Sequence, residues 1–391
     1  MGEPIRFDVI AGGYEEPADV VRFAHAPVPE VVFGAGVAAK VGDKVRYWGC
    51  RRALVVSDPG IVAAGHADIV IGSLRQARID CELFGGVREN PDTDDVGRCV
   101  EVARGFGCDV IIAVGGGSSL DTAKGCNFIL TNGGHMRDYW GVGKATRPML
   151  PFVAVPTTAG TGSECQSFAL IIDAETRGKM ACGDKKAAAR LAVLDPILTL
   201  TQPQAVTART GIDAIAHAVE SAVCNKRTVI SSAYSRLAFR LLDQGFEEVL
   251  ENPDDLAARA RMQLGSAYAG TAIENSMLGA AHSCANPLTS RYHVIHGEAV
   301  AVMLPHVVSY NRSANGTADI YDHLCPAGME WRLLHLMKLA GLPLDLGPFG
   351  VDASELAVLG REASEQWTAQ FNPRPVDAAA CAELYRLAMP S

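Results

Sequence analysis

Blocks of Lys and Arg are missing from this sequence, and the formal net charge is −9. Both facts exclude a basic nucleic-acid surface from the first reading. Long apolar runs are missing too. Val110–Val114 is among the longest, far short of the ~20 apolar residues that a membrane-spanning helix needs. The opening residues, MGEPIRFDVIAGGYEEP, hold no basic stretch followed by a long apolar one. A signal peptide is therefore not expected. Arg6 stands where N-myristoylation needs Ser or Thr, so that modification is not expected either. Asn311 and Asn315 open glycosylation triplets, which read as chance matches without a secretion signal. No CxxC pair occurs among the eleven cysteines. An odd, scattered set reads as reduced, buried thiols in the cytoplasm, with no disulfide framework and no cysteine metal site.

Aromatic residues are scarce at 6%, whereas there are 39 glycines. Few rings and many small residues favour close helix packing and sites lined by backbone. The 391 residues, 48% hydrophobic and 20% charged, are a globular composition long enough for two domains.

The first half alternates strand-like and helix-like segments. Ala53–Ser57, Cys81–Phe84, Asp109–Val114, Phe152–Val155 and Leu191–Leu194 read as strands. Ala64–Gln76, Thr93–Gly105 and Leu120–Leu130 read as helices, and Phe168–Asp173 with Lys179–Cys182 as a hairpin. That alternation predicts a parallel sheet covered on both faces. After Pro196 the pattern becomes long, Ala-rich and helix-periodic, as in Pro203–Cys224, Val229–Leu250, Asp254–Glu274 and Glu298–Tyr310. The expected organisation is an α/β domain over 1–195 and an all-helical domain over 196–391.

Gly115-Gly116-Gly117-Ser118-Ser119 follows the clearest buried strand and opens a helix. Glycines let backbone approach a ligand, and a helix N-terminus offers free N–H groups to a pyrophosphate. The two serines cap the helix or donate to phosphate. The ordinary dinucleotide fingerprint GxGxxG is absent here. Pro156-Thr-Thr-Ala-Gly-Thr-Gly-Ser-Glu164 is a second strand-end loop rich in hydroxyls and glycine. Two such loops point to a nucleotide cleft. Asp58 lies just past the first strand, where a carboxylate either holds a turn or accepts from an adenosine ribose, favouring NAD over NADP.

Asp213 and His217 are four apart in an apolar helical stretch and so share one face. A buried acid and imidazole need a charge partner, and a metal would be one. His282 and His296, fourteen apart, complete a set of one carboxylate and three imidazoles. Such donors suit Fe²⁺ or Zn²⁺. His306 stays unassigned.

These pieces together resemble the iron-containing (group III) alcohol dehydrogenases. The resemblance runs through GGGSSLDTAK at 115–124, PTTAGTGSE at 156–164, LDP at 194–196, GIDAIAHAVE at 211–220, the His282-to-His296 spacing, HGEAVAVMLPHV at 296–307 and FNPRP at 371–375. It implies Asp213, His217, His282 and His296 as ligands of a divalent metal, Fe²⁺ ahead of Zn²⁺. It implies NAD held by Asp58, Gly115, Gly116, Gly117, Ser118, Asp121, Thr157, Thr158, Thr161 and Lys179. Lys179 reads equally well as a hairpin lysine facing water. Many members carry a second His four residues after the third ligand; here Asn286 stands there. Asn positions a substrate oxygen but is no acid or base near neutrality. His293 is then the candidate proton group, or else an outward-facing loop residue. The implied activity is hydride transfer between nicotinamide and a small alcohol or carbonyl compound, in a homodimer or larger homo-oligomer. Two alternatives stand beside it: a metal- and NAD-dependent lyase resembling dehydroquinate synthase, and a non-catalytic nucleotide-binding relative.

Overall fold

The computed structural model describes Phe23, His25 and residues 29–390. The N-terminal stretch read for a leader or lipid signal lies outside the described residues. Among the described residues nine strands are formed: β1 (Glu30–Phe33), β2 (Arg52–Val56), β3 (Asp80–Phe84), β4 (Val110–Gly115), β5 (Gly141–Val142), β6 (Phe152–Pro156), β7 (Phe168–Ile172), β8 (Lys179–Gly183) and β9 (Leu191–Leu194). Six of them make one wholly parallel sheet in the order β1-β9-β6-β4-β2-β3. The predicted hairpin exists as the antiparallel pair β7–β8, but it belongs to a separate small sheet with β5.

Side-chain alternation explains why the large sheet is covered on both faces. Val110, Ile112 and Val114 of β4 pack on one side with Val41, Val45, Val70 and Leu74. Ile111 and Ala113 point to the other side, against Val96, Val100, Leu120 and Ala123. The covering helices are α1 (Val41–Tyr47), α2 (Pro59–Ala63), α3 (His66–Gln76), α4 (Thr93–Phe106) and α5 (Gly117–Asn132). The helix expected near Ala64–Gln76 forms as α3 and starts at His66, because Gly65 with φ 79° turns the chain just before it. One helix start needs correction. α5 begins at Gly117 rather than near Leu120, because the glycines supply the turn and the first helical residue together.

From β2 the chain moves outward to β3, then returns to β4 on the opposite side of β2. The strand order therefore reverses between β2 and β4. A crevice opens at the carboxyl ends of strands at such a reversal. Asp58 follows β2, Gly115 ends β4 and Thr157 follows β6, so all three reach this rim.

After β9 the regular structure is helical: α6 (Gln204–Val223), α7 (Val229–Glu251), α8 (Leu256–Glu274), α9 (Ala280–Tyr292), α10 (His296–Asn311), α11 (Thr317–Leu324), α12 (Met329–Leu339), α13 (Leu356–Ser364) and α14 (Ala378–Leu387). The whole molecule is thus a parallel α/β unit followed by an all-helical one. α6 is buried on nearly every side from Gly211 to Val223, as its apolar run requires. α8 docks onto the rim of the sheet. A Cβ on Gly270 would stand 2.3 Å from the Gly162 carbonyl oxygen, so only glycine lets this helix meet the threonine loop. Among the described residues no helix is long and apolar enough to cross a membrane.

Candidate active site and metal centre

α6 presents Asp213 and His217 one turn apart, with α9 supplying His282 and the first residue of α10 supplying His296. Oδ1 of Asp213 lies 3.5 Å from Nε2 of His217, 3.4 Å from Nε2 of His282 and 4.0 Å from Nε2 of His296. Donors bound at about 2.1 Å to one tetrahedral ion stand ~3.4 Å apart, so these separations suit a single metal. Oδ1 of Asp213 and Nε2 of His282 are buried with no hydrogen-bond partner. Orphaned donors and acceptors of this kind are costly without an ion between them. The residues present fit a divalent cation of the Fe²⁺ or Zn²⁺ type, with Asp213, His217 and His282 forming the tightest group.

Electrostatics point the same way. Burial opposes ionisation of Asp213, yet His217, His282 and His296 outweigh it and hold its carboxyl well below the usual range. Burial pushes His296 down to about 3, with Asp213 opposing. His217 is also lowered by burial, again against the pull of Asp213. Burial works against the imidazolium of His282 too, but Glu220 and Asp213 overcome it and lift that ring to about 9.

Glu220 is a functional residue that the sequence reading missed. Its Oε2 lies 2.5 Å from Nδ1 of His282, and its Oε1 accepts from the Ala281 N–H at 2.7 Å. Such a carboxylate fixes the tautomer that directs Nε2 at a metal. The signal was present, because Glu220 is seven residues after Asp213 and three after His217 on the same helix. Asn372 of the FNPRP motif is buried and caps α9 by accepting from the Ala280 N–H at 3.1 Å.

The glycine turn closes the carboxyl end of β4, where α5 begins. Gly115 has φ 153°, and a Cβ there would meet Oγ of Ser119 at 2.4 Å and Oδ2 of Asp58 at 3.2 Å. A Cβ on Gly116 would touch Thr158 at 3.4 Å, and one on Gly117 would meet Thr161 at 2.9 Å. The two loops therefore face each other directly. No side chain caps α5, contrary to the capping role open to the serines. Oγ of Ser118 instead accepts from the Asn90 N–H at 3.3 Å. The uncapped N-terminus is left with the dipole and free N–H groups that suit a diphosphate. The Thr157 hydroxyl is buried without a partner.

Asp58 caps α2 through the Ile61 N–H at 3.0 Å, which bears out its turn role. Its other oxygen faces Ser119 at 3.4 Å, beside the glycine turn. Asp121 accepts from the Ser163 hydroxyl at 3.0 Å. Lys179 is open to solvent, but not on a remote hairpin. Desolvation lowers the pKa of its ammonium, and the charges of Asp121 and Asp213 oppose that. Nδ2 of Asn286 donates to Oε1 of Gln366 at 3.1 Å. His293 ends α9 with φ 55° and an exposed side chain, and is not part of the metal-donor group.

Comparison with known proteins supplies the relationship. The family model described as "Iron-containing alcohol dehydrogenase" matches residues 28–196, and "Fe-containing alcohol dehydrogenase family, C-terminal" matches 207–389. The NAD-dependent methanol dehydrogenase of Bacillus methanolicus is 32% identical, over 88% of this chain and 94% of its own. The 1,3-propanediol dehydrogenase of Citrobacter freundii is 34% identical, over 92% of this chain and 97% of its own. A crystal structure of 1,3-propanediol oxidoreductase superposes with a TM-score of 0.91 at 32% identity, covering 94% of this chain and all (100%) of that one. With both halves matched in order, and with a buried metal-donor group on its helical half, this chain belongs to the iron-containing alcohol dehydrogenase family.

Proposed function

We propose that this protein moves hydride between the nicotinamide of NAD(H) and the reacting carbon of a small alcohol or aldehyde. The observation that carries the reading is the convergence of the Asp213, His217 and His282 donor atoms within 4.8 Å of one another, with Nε2 of His296 4.0 Å from Oδ1 of Asp213. A divalent cation bound there supplies Lewis acidity toward the substrate oxygen. The chain's own residues do the rest. Gly115, Gly116, Gly117, Ser118, Thr157, Thr158 and Thr161 hold and orient the dinucleotide, Asp58 its ribose, and Asp121 and Lys179 its nicotinamide half. Asn286, four residues after His282 on one helix face, orients the substrate oxygen. His293 exchanges the proton with solvent from the exposed end of that helix. The named substrates of the relatives favour dehydrogenation over lyase chemistry, and the intact donor set argues against a non-catalytic relative.

Several finer features belong to the same reading: Fe²⁺ ahead of Zn²⁺, a domain boundary near residue 195, a homo-oligomer and a cytoplasmic setting. The test is an NADH-linked panel of alcohols and aldehydes on metal-free protein reloaded with each metal. His282→Ala should lose both metal and turnover yet still bind NADH. A fully metal-loaded, active His282→Ala protein overturns the reading.

A further inference from the structure

Lys124, the last residue of the GGGSSLDTAK motif, has no exposed surface. The hydride-transfer mechanism has no use for its ammonium. A buried ammonium persists only where its donors are used. All three are: Nζ donates to the Ser163 carbonyl at 2.7 Å, to the Ser163 hydroxyl at 2.8 Å and to the Phe168 carbonyl at 2.9 Å. Burial lowers its pKa, and the carboxylates of Asp121, Glu274 and Glu164 oppose that. The same Ser163 hydroxyl donates to Asp121, one helical turn before Lys124 on α5. α5 therefore grips one serine of the threonine loop with two side chains.

That grip leads to the cofactor site. The Ser163 N–H donates to Oγ1 of Thr161 at 3.3 Å. Thr161 stands over Gly117, its Cγ2 2.9 Å from where a Cβ would be. α5 thus begins at the glycine turn and, about two turns later, holds the loop that faces the turn. We propose that Lys124 is a positioning residue for the dinucleotide: through Ser163 and Thr161 it sets the separation between the threonine loop and the glycine turn. A lysine serving only the stability of the core would leave that separation unaffected. The inference rests on the glycine turn being the dinucleotide site.

The test is NADH titration of the metal-loaded protein, followed by fluorescence, with metal content and melting temperature measured in parallel. Lys124→Met should raise the Kd for NADH by about tenfold at full metal occupancy. Ser163→Ala should raise it less. Because the two act in one chain, the double variant should be no weaker than Lys124→Met alone. Folded, metal-loaded Lys124→Met that binds NADH within about twofold of the parent overturns the proposal, as does full additivity in the double variant. If Lys124→Met does not fold, unchanged NADH affinity in Ser163→Ala overturns it alone. Gly117→Val separates the two levels. Normal NADH binding in that variant sinks the cofactor-site assignment itself, whereas lost binding there leaves the Lys124 result to be read on its own terms.

Discussion

Single carboxylates decide much of this site. Asp58 has one oxygen committed to capping α2 and the other turned toward the glycine turn. A carboxylate there accepts from a ribose and repels a 2′-phosphate. Asp58→Gly should therefore raise the ratio of kcat/KM with NADPH to that with NADH by about tenfold. A parent enzyme already favouring NADPH would contradict this assignment. Glu164 offers a pH effect. It is 2% exposed, and burial raises its carboxyl to about 7, with Lys124 among the opposing influences. A raised acid binds its proton more tightly in the folded state. Its contribution to stability is full below the unfolded pKa and is lost as pH rises through about 7. Glu164→Gln should therefore gain stability over the parent at pH ~8, by up to about 3 kcal/mol, and little near pH ~4. Denaturant midpoints at the two pH values check the sign.

At the scale of elements, α6 carries the centre. Asp213, His217 and Glu220 occupy one stripe of this helix at spacings of four and three. Two of them aim at the metal point, and the third holds His282 of a different helix. Glu220→Gln keeps the shape but weakens the hold on Nδ1. Metal affinity should fall roughly 10–100-fold while NADH binding stays intact, as chelator competition would show. The sequence made α6 legible because its apolar positions leave Asp213 and His217 conspicuous. β2, β3, β4, β6, β7, β8 and β9 were equally legible from short apolar runs between turn signals. β1, β5, α1 and α9 were not anticipated as elements. β1 is four residues long and mostly exposed. α9 contains Pro287 and is interrupted by polar residues. Short or Pro-bearing segments carry too little periodicity to stand out.

For the whole molecule, an ion held by Asp213, His217, His282 and His296 would join α6, α9 and α10. Binding to the folded state alone adds stability, about 4 kcal/mol when free metal exceeds its Kd a thousandfold. Chelation should therefore lower the melting temperature of the parent, and reloading should restore it. His217→Ala should start low and respond to neither. An equal response in parent and variant would detach the metal from these helices.

The sequence by itself determined the parallel α/β half, the helical half, the two loops and the Asp213–His217 pair, while His282 and His296 entered as candidate donors through the family resemblance. Each of the former is a local pattern: a period of two or 3.6, a glycine run after a strand, or a polar residue stranded in an apolar helix. Only the tertiary structure decided which of these meet. It joined Glu220 to His282, set Thr158 and Thr161 against Gly116 and Gly117, and closed Lys124 over Ser163. It gave the Ser118 hydroxyl to Asn90 rather than to the helix cap, and turned His293 out to solvent. Those pairings join residues far apart along the chain, and nothing in local spacing sets the direction in which two packed elements approach.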